Sequence, residues 1–317
     1  MEKTSAVQLL TKKEAVRFIG GIQRQEDFRI FNRKNPLKSE LRYNRDSCCS
    51  GPDKHAVRTR KEVKKMDSST EFPTRRGAFV ALFLISFWCI ITGWALSRNT
   101  ESLHFIIKIG LIAILTHLYT GLFITAHDAM HGSLVPGNTQ FNNLLGRLSL
   151  IFYGWLDFDY LKKQHQKHHE FPGTSSDPDF YTGSSMILWY IKFMRYYVTL
   201  KQICLMSLTF SLAVHLLSIP PERLLMFWAL PSLLSSLQLF YFGTFRPHQS
   251  DANRPFIDDH NARSSTSRGL LYSFLTCYNF GAFHLEHHHY PWIPWWKLPT
   301  VPATPPSHLN KDRHVLP

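Results

Sequence analysis

The chain has 317 residues, 44% of them hydrophobic and 14% aromatic, with 36 Lys and Arg against 23 Asp and Glu. A net charge of +13 invites a nucleic-acid reading, but residues 1–76 hold 19 of the cations and only 10 of the acids, hence +9 of that charge. A basic arm beside apolar runs is a membrane flank, and nucleic acid is not an expected partner.

Residues 1–76 are polar and weakly periodic, and we expect a disordered arm that serves at most as a targeting segment. Its ten acids argue against a plastid transit peptide, and the distance to the first apolar run argues against a secretory signal. The next 20 residues that matter, Ala78 to Ser97, carry no charge and are long enough to cross a bilayer core of about 30 Å. Phe105 to Ala126 is a second expected span, with Lys108 near one end and free to snorkel. Phe141–Leu156, which contains Arg147, and Met186–Leu200, which contains Lys192 and Arg195, read as interfacial or re-entrant helices. Ile203–Ile219 is a third span. The Pro220-Pro221 pair turns the chain into a fourth, Leu224–Phe245, which Pro231 is expected to kink. The five cysteines, Cys48, Cys49, Cys89, Cys204 and Cys277, form no CxxC pair and read as small buried hydrophobes.

With the basic arm on the inner side, four spans leave only the short segments Arg98–His104 and Pro220–Arg223 outside. Three histidine boxes then share the inner side: His127 and His131 at the end of the second span, His165, His168 and His169 after the first interrupted run, and His284, His287 and His288 beyond the fourth span. Spacing of i, i+3 and i+4 puts residues on one helix face, so each box can aim its imidazoles at one point. Eight such ligands exceed the needs of one ion and suit two, and imidazole suits iron, copper, nickel and zinc. His248, just past the fourth span, reads either as a ninth ligand or as an interfacial histidine. Asp128, Asp177, Asp179 and Glu286 are candidates to hold the outer nitrogens of ligating imidazoles, with solvated surface acids as the alternative. His117 and His215 read as packing or hydrogen-bonding groups within spans, and His289, His308 and His314 as solvent-facing. A pair of redox metals at the membrane boundary suits oxidation of apolar C–H bonds, with the substrate entering from the bilayer and electrons arriving from the aqueous side.

The boxes resemble those of the membrane fatty-acid desaturase and hydroxylase superfamily. The words around them, LYTGLFITAHDAMHG (Leu118–Gly132), DPDF (Asp177–Phe180), LFYFGTFRPH (Leu239–His248), SFLTCYNFGAFHLEHH (Ser273–His288) and PWIPWWKLP (Pro291–Pro299), resemble β-carotene ketolases, over residues 78–299. The resemblance implies two Fe ions on the eight box histidines. O2 would be the co-substrate, with electrons from a donor protein such as ferredoxin. The implied activity is oxidation of C4 of a β-ionone ring to a ketone. Two hydroxylations at that allylic carbon give a gem-diol that loses water, taking β-carotene to echinenone and canthaxanthin and hydroxylated carotenoids towards astaxanthin. His248 matches a histidine of the family. Where the family commonly reads CYHF, this chain has Asn279, which puts a further ligand position in question.

The expected architecture is an all-α membrane protein: about four transmembrane helices plus interfacial helices, with a di-iron cap on the cytoplasmic or stromal side. Its expected divisions are the arm (1–76), the membrane-embedded oxygenase domain (77–300) and a polar tail (301–317). The expected location is a plastid or other pigment-bearing membrane in a eukaryote and the cytoplasmic membrane in a bacterium. The rivals are an acyl desaturase or hydroxylase, a carotenoid hydroxylase that stops at the alcohol, and a histidine-rich metal transporter. The last would need polar groups along the spans, which are nearly bare.

Overall fold

The computed structural model describes residues 74–251 and 255–302, and all regular elements among them are helical. Nearly all of the expected arm and tail, with Cys48, Cys49, His308 and His314, lie outside the described residues. Helix α1 (Thr74–Ser97) and helix α2 (Phe105–Met130) are the first two long apolar helices. Helix α1 turns Ala81, Leu84 and Trp88 inward while Phe79, Phe83, Ile90 and Trp94 stay exposed, the pattern of a helix whose outer face meets lipid. Helix α2 runs past Ala126 to Met130, and its C-terminal half is buried almost all round.

Helix α3 (Thr139–Gly154) is amphipathic: Asn142, Leu145, Gly146, Ser149, Leu150 and Tyr153 form one buried stripe at helical spacing. That stripe lies along α1 and α2 through Trp88 on Phe152 and Tyr119 on Tyr153, ring centroids 5.5 and 5.6 Å apart. Gly146 permits the approach, since a Cβ there would stand 2.4 Å from the Phe158 ring and 2.8 Å from Ala129 Cβ. Arg147 stays on the polar side, where its guanidinium grips the exposed carboxylate of Asp159 at 2.8 and 2.9 Å. Helix α4 (Phe158–Glu170) follows, started by Asp157, whose carboxylate accepts from Tyr160 N.

Helices α5 (Met186–Tyr197) and α6 (Leu200–His215) meet at 84°. The expected third span is thus only 16 residues of helix, about 24 Å. It is not long enough to qualify alone, and α5 and α6 reach a crossing only as a bent pair, so among the described residues the helices able to cross number three, or four counting the pair. Helix α6 stops early because Ser218 takes a left-handed conformation, φ 52°, ahead of the two prolines.

Helix α7 (Pro221–His248) runs on through Pro231. It widens to π geometry at Leu225–Ala229 and Phe240–Phe245, just ahead of Pro231 and Pro247. Proline lacks the N–H and crowds the preceding turn, and a wide turn gives that ring room without ending the helix. Helix α8 (Leu270–Cys277) and helix α9 (His284–His289) complete the domain. A polar seam crosses the apolar interior: Thr120 Oγ1 donates to Gln238 Oε1 at 3.1 Å and lies 3.0 Å from Ser235 Oγ, and Gln238 Nε2 donates to Leu275 O at 3.1 Å. It ties α2, α7 and α8 together where the hydrophobic effect between lipid-facing helices is weak.

The two short connections meet at one end of the bundle, where Arg223 Nη1 donates to Leu96 O at 3.4 Å. At the other end Gly77 lies against the loop after α2, so close that a Cβ would fall 1.7 Å from Leu134 O. The histidines gather at this second end. Cys277 is buried as expected, but Cys89 and Cys204 are exposed on α1 and α6, where a small apolar side chain faces outward without cost in lipid.

Candidate metal centre

Each box sits at a helix terminus or on a short helix pinned by the cap. His127 lies in the last turn of α2 and His131 caps it, α4 carries His165, His168 and His169, α7 ends on His248, and α9 carries the third box. The structure brings all nine of these imidazoles together, but not at one point per box. His127, His131, His165, His169 and His287 form one set and His168, His248, His284 and His288 another, the potential ligand nitrogens within each lying within 4.8 Å of one another. On a helix, i+3 and i+4 point about 100° apart. Each HxxHH word therefore sends its i and i+4 histidines to one set and its i+3 histidine to the other. The two words divide in opposite senses, interlocking α4 with α9.

Within the first set, Nε2 of His165 lies 2.8 Å from Nε2 of His131 and 3.1 Å from Nε2 of His169, which lies 2.9 Å from Nε2 of His287. In the second, Nε2 of His284 lies 2.8 Å from Nε2 of His248 and 3.1 Å from Nε2 of His288. Burial, reinforced by neighbouring imidazoles, holds His131, His165, His169, His284, His287 and His288 well below the usual imidazole range. Neutral rings that converge their ring nitrogens in this way need a bridging proton or a cation, and burial disfavours the proton. Among the described residues, His127 has no hydrogen-bond partner on either nitrogen.

The outer nitrogens are held selectively. Asp177 takes the His168 Nδ1 proton on both oxygens at 3.0 Å, and is itself fixed by Gly173 N and Asp179 N, each at 2.8 Å. Burial opposes charge on both partners. The hydrogen bond and mutual attraction outweigh it, so the His168 pKa is raised and that of Asp177 lowered. His248 Nδ1 donates to Asn261 O at 2.7 Å, which turns its Nε2 towards His284. Asp128 lies 3.5 Å from His127 Nδ1 and accepts from Trp295 N at 3.1 Å. Asp179 stands 3.9 Å from His168 Nδ1 and takes the Tyr197 hydroxyl, and burial, with the Asp177 charge, pushes its carboxyl up to about 6. Glu286 is buried and accepts from the Ser264 hydroxyl, which in turn accepts from Leu285 N. Asn279 is buried in a left-handed pair with Tyr278, φ 64° and 48°, and its Oδ1 has no partner among the described residues. Asn tolerates that conformation better than most residues.

An apolar cavity of about 120 Å³ opens beside both sets, walled by Phe123, Leu156, Phe193, Leu239 and Phe280 and reaching His127, His165, His168 and His284. Gly243, in the second π segment, lines it against Phe280. His289 departs from expectation: its side chain is 1% exposed and 2.6 Å from Asp258 Oδ2, with His260 Nδ1 3.1 Å from Oδ1 of the same carboxylate. Nothing in the spacing of HLEHHH distinguishes this fourth histidine from its neighbours, and Asp258 is 31 residues away. His117 packs as expected, stacked on Tyr278 at 4.4 Å.

A helical membrane protein with three histidine boxes gathered at one end of its bundle has the features of the fatty acid desaturase family, whose model matches residues 103–217 and 197–304. A β-carotene ketolase from a Paracoccus species is 39% identical over 218 residues, 69% of this chain and 88% of that protein. A zeaxanthin 4-ketolase of Chlamydomonas reinhardtii is 35% identical over 223 residues, 70% of this chain and 50% of the relative. A β-carotene 4-ketolase of Haematococcus lacustris is 40% identical over 192 residues, 59% of each. The chain belongs to the β-carotene ketolases, within the fatty acid desaturase family. It spans about half the length of the Chlamydomonas relative and most of the Paracoccus one.

Proposed function

We propose that the chain is a carotenoid 4-ketolase: it oxidises C4 of a β-ionone ring to the ketone, taking β-carotene to echinenone and canthaxanthin and hydroxylated carotenoids towards astaxanthin. The observation that carries this is the placement of two imidazole sets along one apolar cavity in a member of the ketolase family.

The donor sets fit two iron ions. Their nitrogens converge on each other, and where an outer nitrogen is bonded, at His168 and His248, the proton is held away from the set. The first position would be held by His127, His131, His165, His169 and His287, and the second by His168, His248, His284 and His288. Bound iron would supply the activation of O2, with electrons from a donor protein such as ferredoxin.

The rest falls to the chain's own residues. Phe123, Leu156 and Leu239 offer an apolar bed for the gem-dimethyl ring and exclude water from it. Phe280, packed 4.4 Å from His127 and 4.9 Å from His284, sets the wall against which the ring presents one edge to the imidazoles. Asp177 keeps the His168 proton on Nδ1 and the ring's aim fixed. Asn279 offers its unpartnered Oδ1 as a weak or water-mediated further ligand. The substrate enters from the bilayer, and the cap faces the cytoplasmic or stromal side.

Expression in a bacterium that accumulates β-carotene tests the assignment. Echinenone and canthaxanthin should accumulate, and should disappear when iron is chelated during growth. Unchanged β-carotene with iron-loaded protein in the membrane would refute it.

A further inference from the structure

His287, His288 and His289 are consecutive on α9, and a helix turns each about 100° from the last. The first two join the two imidazole sets, one each, and the third joins neither. His289 meets instead the loop between α7 and α8, where its Nε2 lies 2.6 Å from Asp258 Oδ2. His260 reaches the other oxygen of that carboxylate, with Nδ1 3.1 Å from Oδ1, and its ring stands 4.7 Å from that of His289 at 77°. The potential ligand atoms of Asp258, His260 and His289 all lie within 4.8 Å of one another. Among the described residues that line the apolar cavity, none belongs to this group. The ketone chemistry gives it nothing to do.

Two imidazoles and one carboxylate are a donor set that divalent zinc and iron share, and zinc binds such sites more tightly than ferrous iron. Burial alone would raise the Asp258 pKa, but the bonds from His289 and His260 outweigh it and hold the carboxyl below its usual range, so the cluster carries an anion. A tetrahedral ion about 2.0–2.2 Å from each donor needs neighbouring donors roughly 3.3 Å apart, so the observed 2.6 and 3.1 Å have to open by less than about 1 Å. The His289 side chain is 1% exposed, whereas those of Asp258 and His260 keep 24% and 16%. The cluster is thus rooted in the cap and open to water on one side, which offers an entry path and a fourth ligand. We propose that Asp258, His260 and His289 form a third, mononuclear metal site that takes one Zn2+ ion, with water in the open position. Its place in the fold makes the ion a staple. His260 N donates to Asp258 Oδ1 at 3.0 Å, which closes a tight turn. The next residue is Asn261, whose carbonyl takes the His248 Nδ1 proton and whose Nδ2 donates to Pro172 O at 2.9 Å. An ion held between this turn and His289 ties α9 to the segment that aims His248. The inference does not depend on the ketolase reading.

The full chain, iron-loaded, purified in detergent and equilibrated with a buffer that holds free Zn2+ in the nanomolar range, provides the test. We expect one Zn2+ per chain on top of an unchanged iron content, and a zinc X-ray absorption spectrum with two imidazoles and oxygen around the ion. Zn2+ should also raise the melting temperature of the unaltered chain, since it binds only the folded form. Asp258→Asn and His289→Gln should each lose the zinc and its effect on melting while retaining their iron. No zinc bound in addition to iron, or zinc retained in full by both variants, would overturn the site. So would four or five imidazoles around the zinc, which would put it in the iron sets. Each of these outcomes leaves ketolase activity standing. The spectrum of the unaltered chain decides the matter even where a variant fails to fold.

Discussion

His168 and His169 are neighbours in sequence, yet their rings stand 5.7 Å apart at 79° to one another and belong to different imidazole sets. One peptide unit of α4 thus separates two proposed iron positions. His168→Ala removes one of four nitrogens from the smaller set and also strands the buried Asp177. We expect ketone formation to be lost and iron per protein to fall towards half, with His169→Ala acting on the other position. Metal analysis of the purified proteins checks both, and retention of full iron and full activity would sink the ligand assignment.

Asp177→Asn keeps the shape of the side chain but removes the charge that holds the His168 proton on Nδ1. Iron affinity should drop by about 10- to 100-fold, as for other carboxylates that orient metal-bound histidines. Chelator titration measures this directly, and an unchanged curve would mean the carboxylate only fastens the DPDF turn.

At Asn279 we expect Asn279→His to resist chelators more strongly than the unaltered chain while still forming ketone. The position already lies buried with an unpartnered Oδ1, and an imidazole is the better iron ligand. Identical chelator resistance would mean that position 279 supports the cap without touching metal.

Packing can be tested apart from chemistry. Gly146→Ala pushes a methyl group into Phe158 and Ala129 and should cost about 1–3 kcal/mol. Gly93→Ala, in α1 with nothing within 4 Å of the new carbon, should be neutral or slightly stabilising. Thermal unfolding in detergent compares the two, and equal melting temperatures would contradict the close approach of α3 to α2 and α4.

The placement of the histidines at one end of the bundle is open to labelling. A cysteine at Glu101, in the connection after α1, and one at Lys163, on the exposed face of α4, should react with impermeant reagents from opposite sides of the membrane. Labelling of both from one side would overturn the four-pass arrangement.

The apolar runs and the three boxes were legible in the sequence because each signal is local: span length is a count, and HxxHH is a helical word. What escaped depends on partners far along the chain. The 100° between His168 and His169 is implied by any α-helix, but which set each joins depends on α9 lying across α4. The tautomer of His248 depends on Asn261 O and the burial of His289 on Asp258, neither of which has a spacing rule. The third span is expected to end at Ile219 because hydropathy continues through Leu216 and Leu217, whereas the helix ends at His215 and the backbone turns at Ser218.

Because α4 and α9 each contribute to both imidazole sets, neither set is complete until the last box has left the ribosome. Metal capture at the second set would thereby be a late act of assembly. A nascent chain with its spans already inserted presents four of the five imidazoles of the first set but only two of the four of the second. Once α9 docks, two ions would rivet the C-terminal segment to helices laid down much earlier, so losing either ion should loosen the whole cap rather than one half of it.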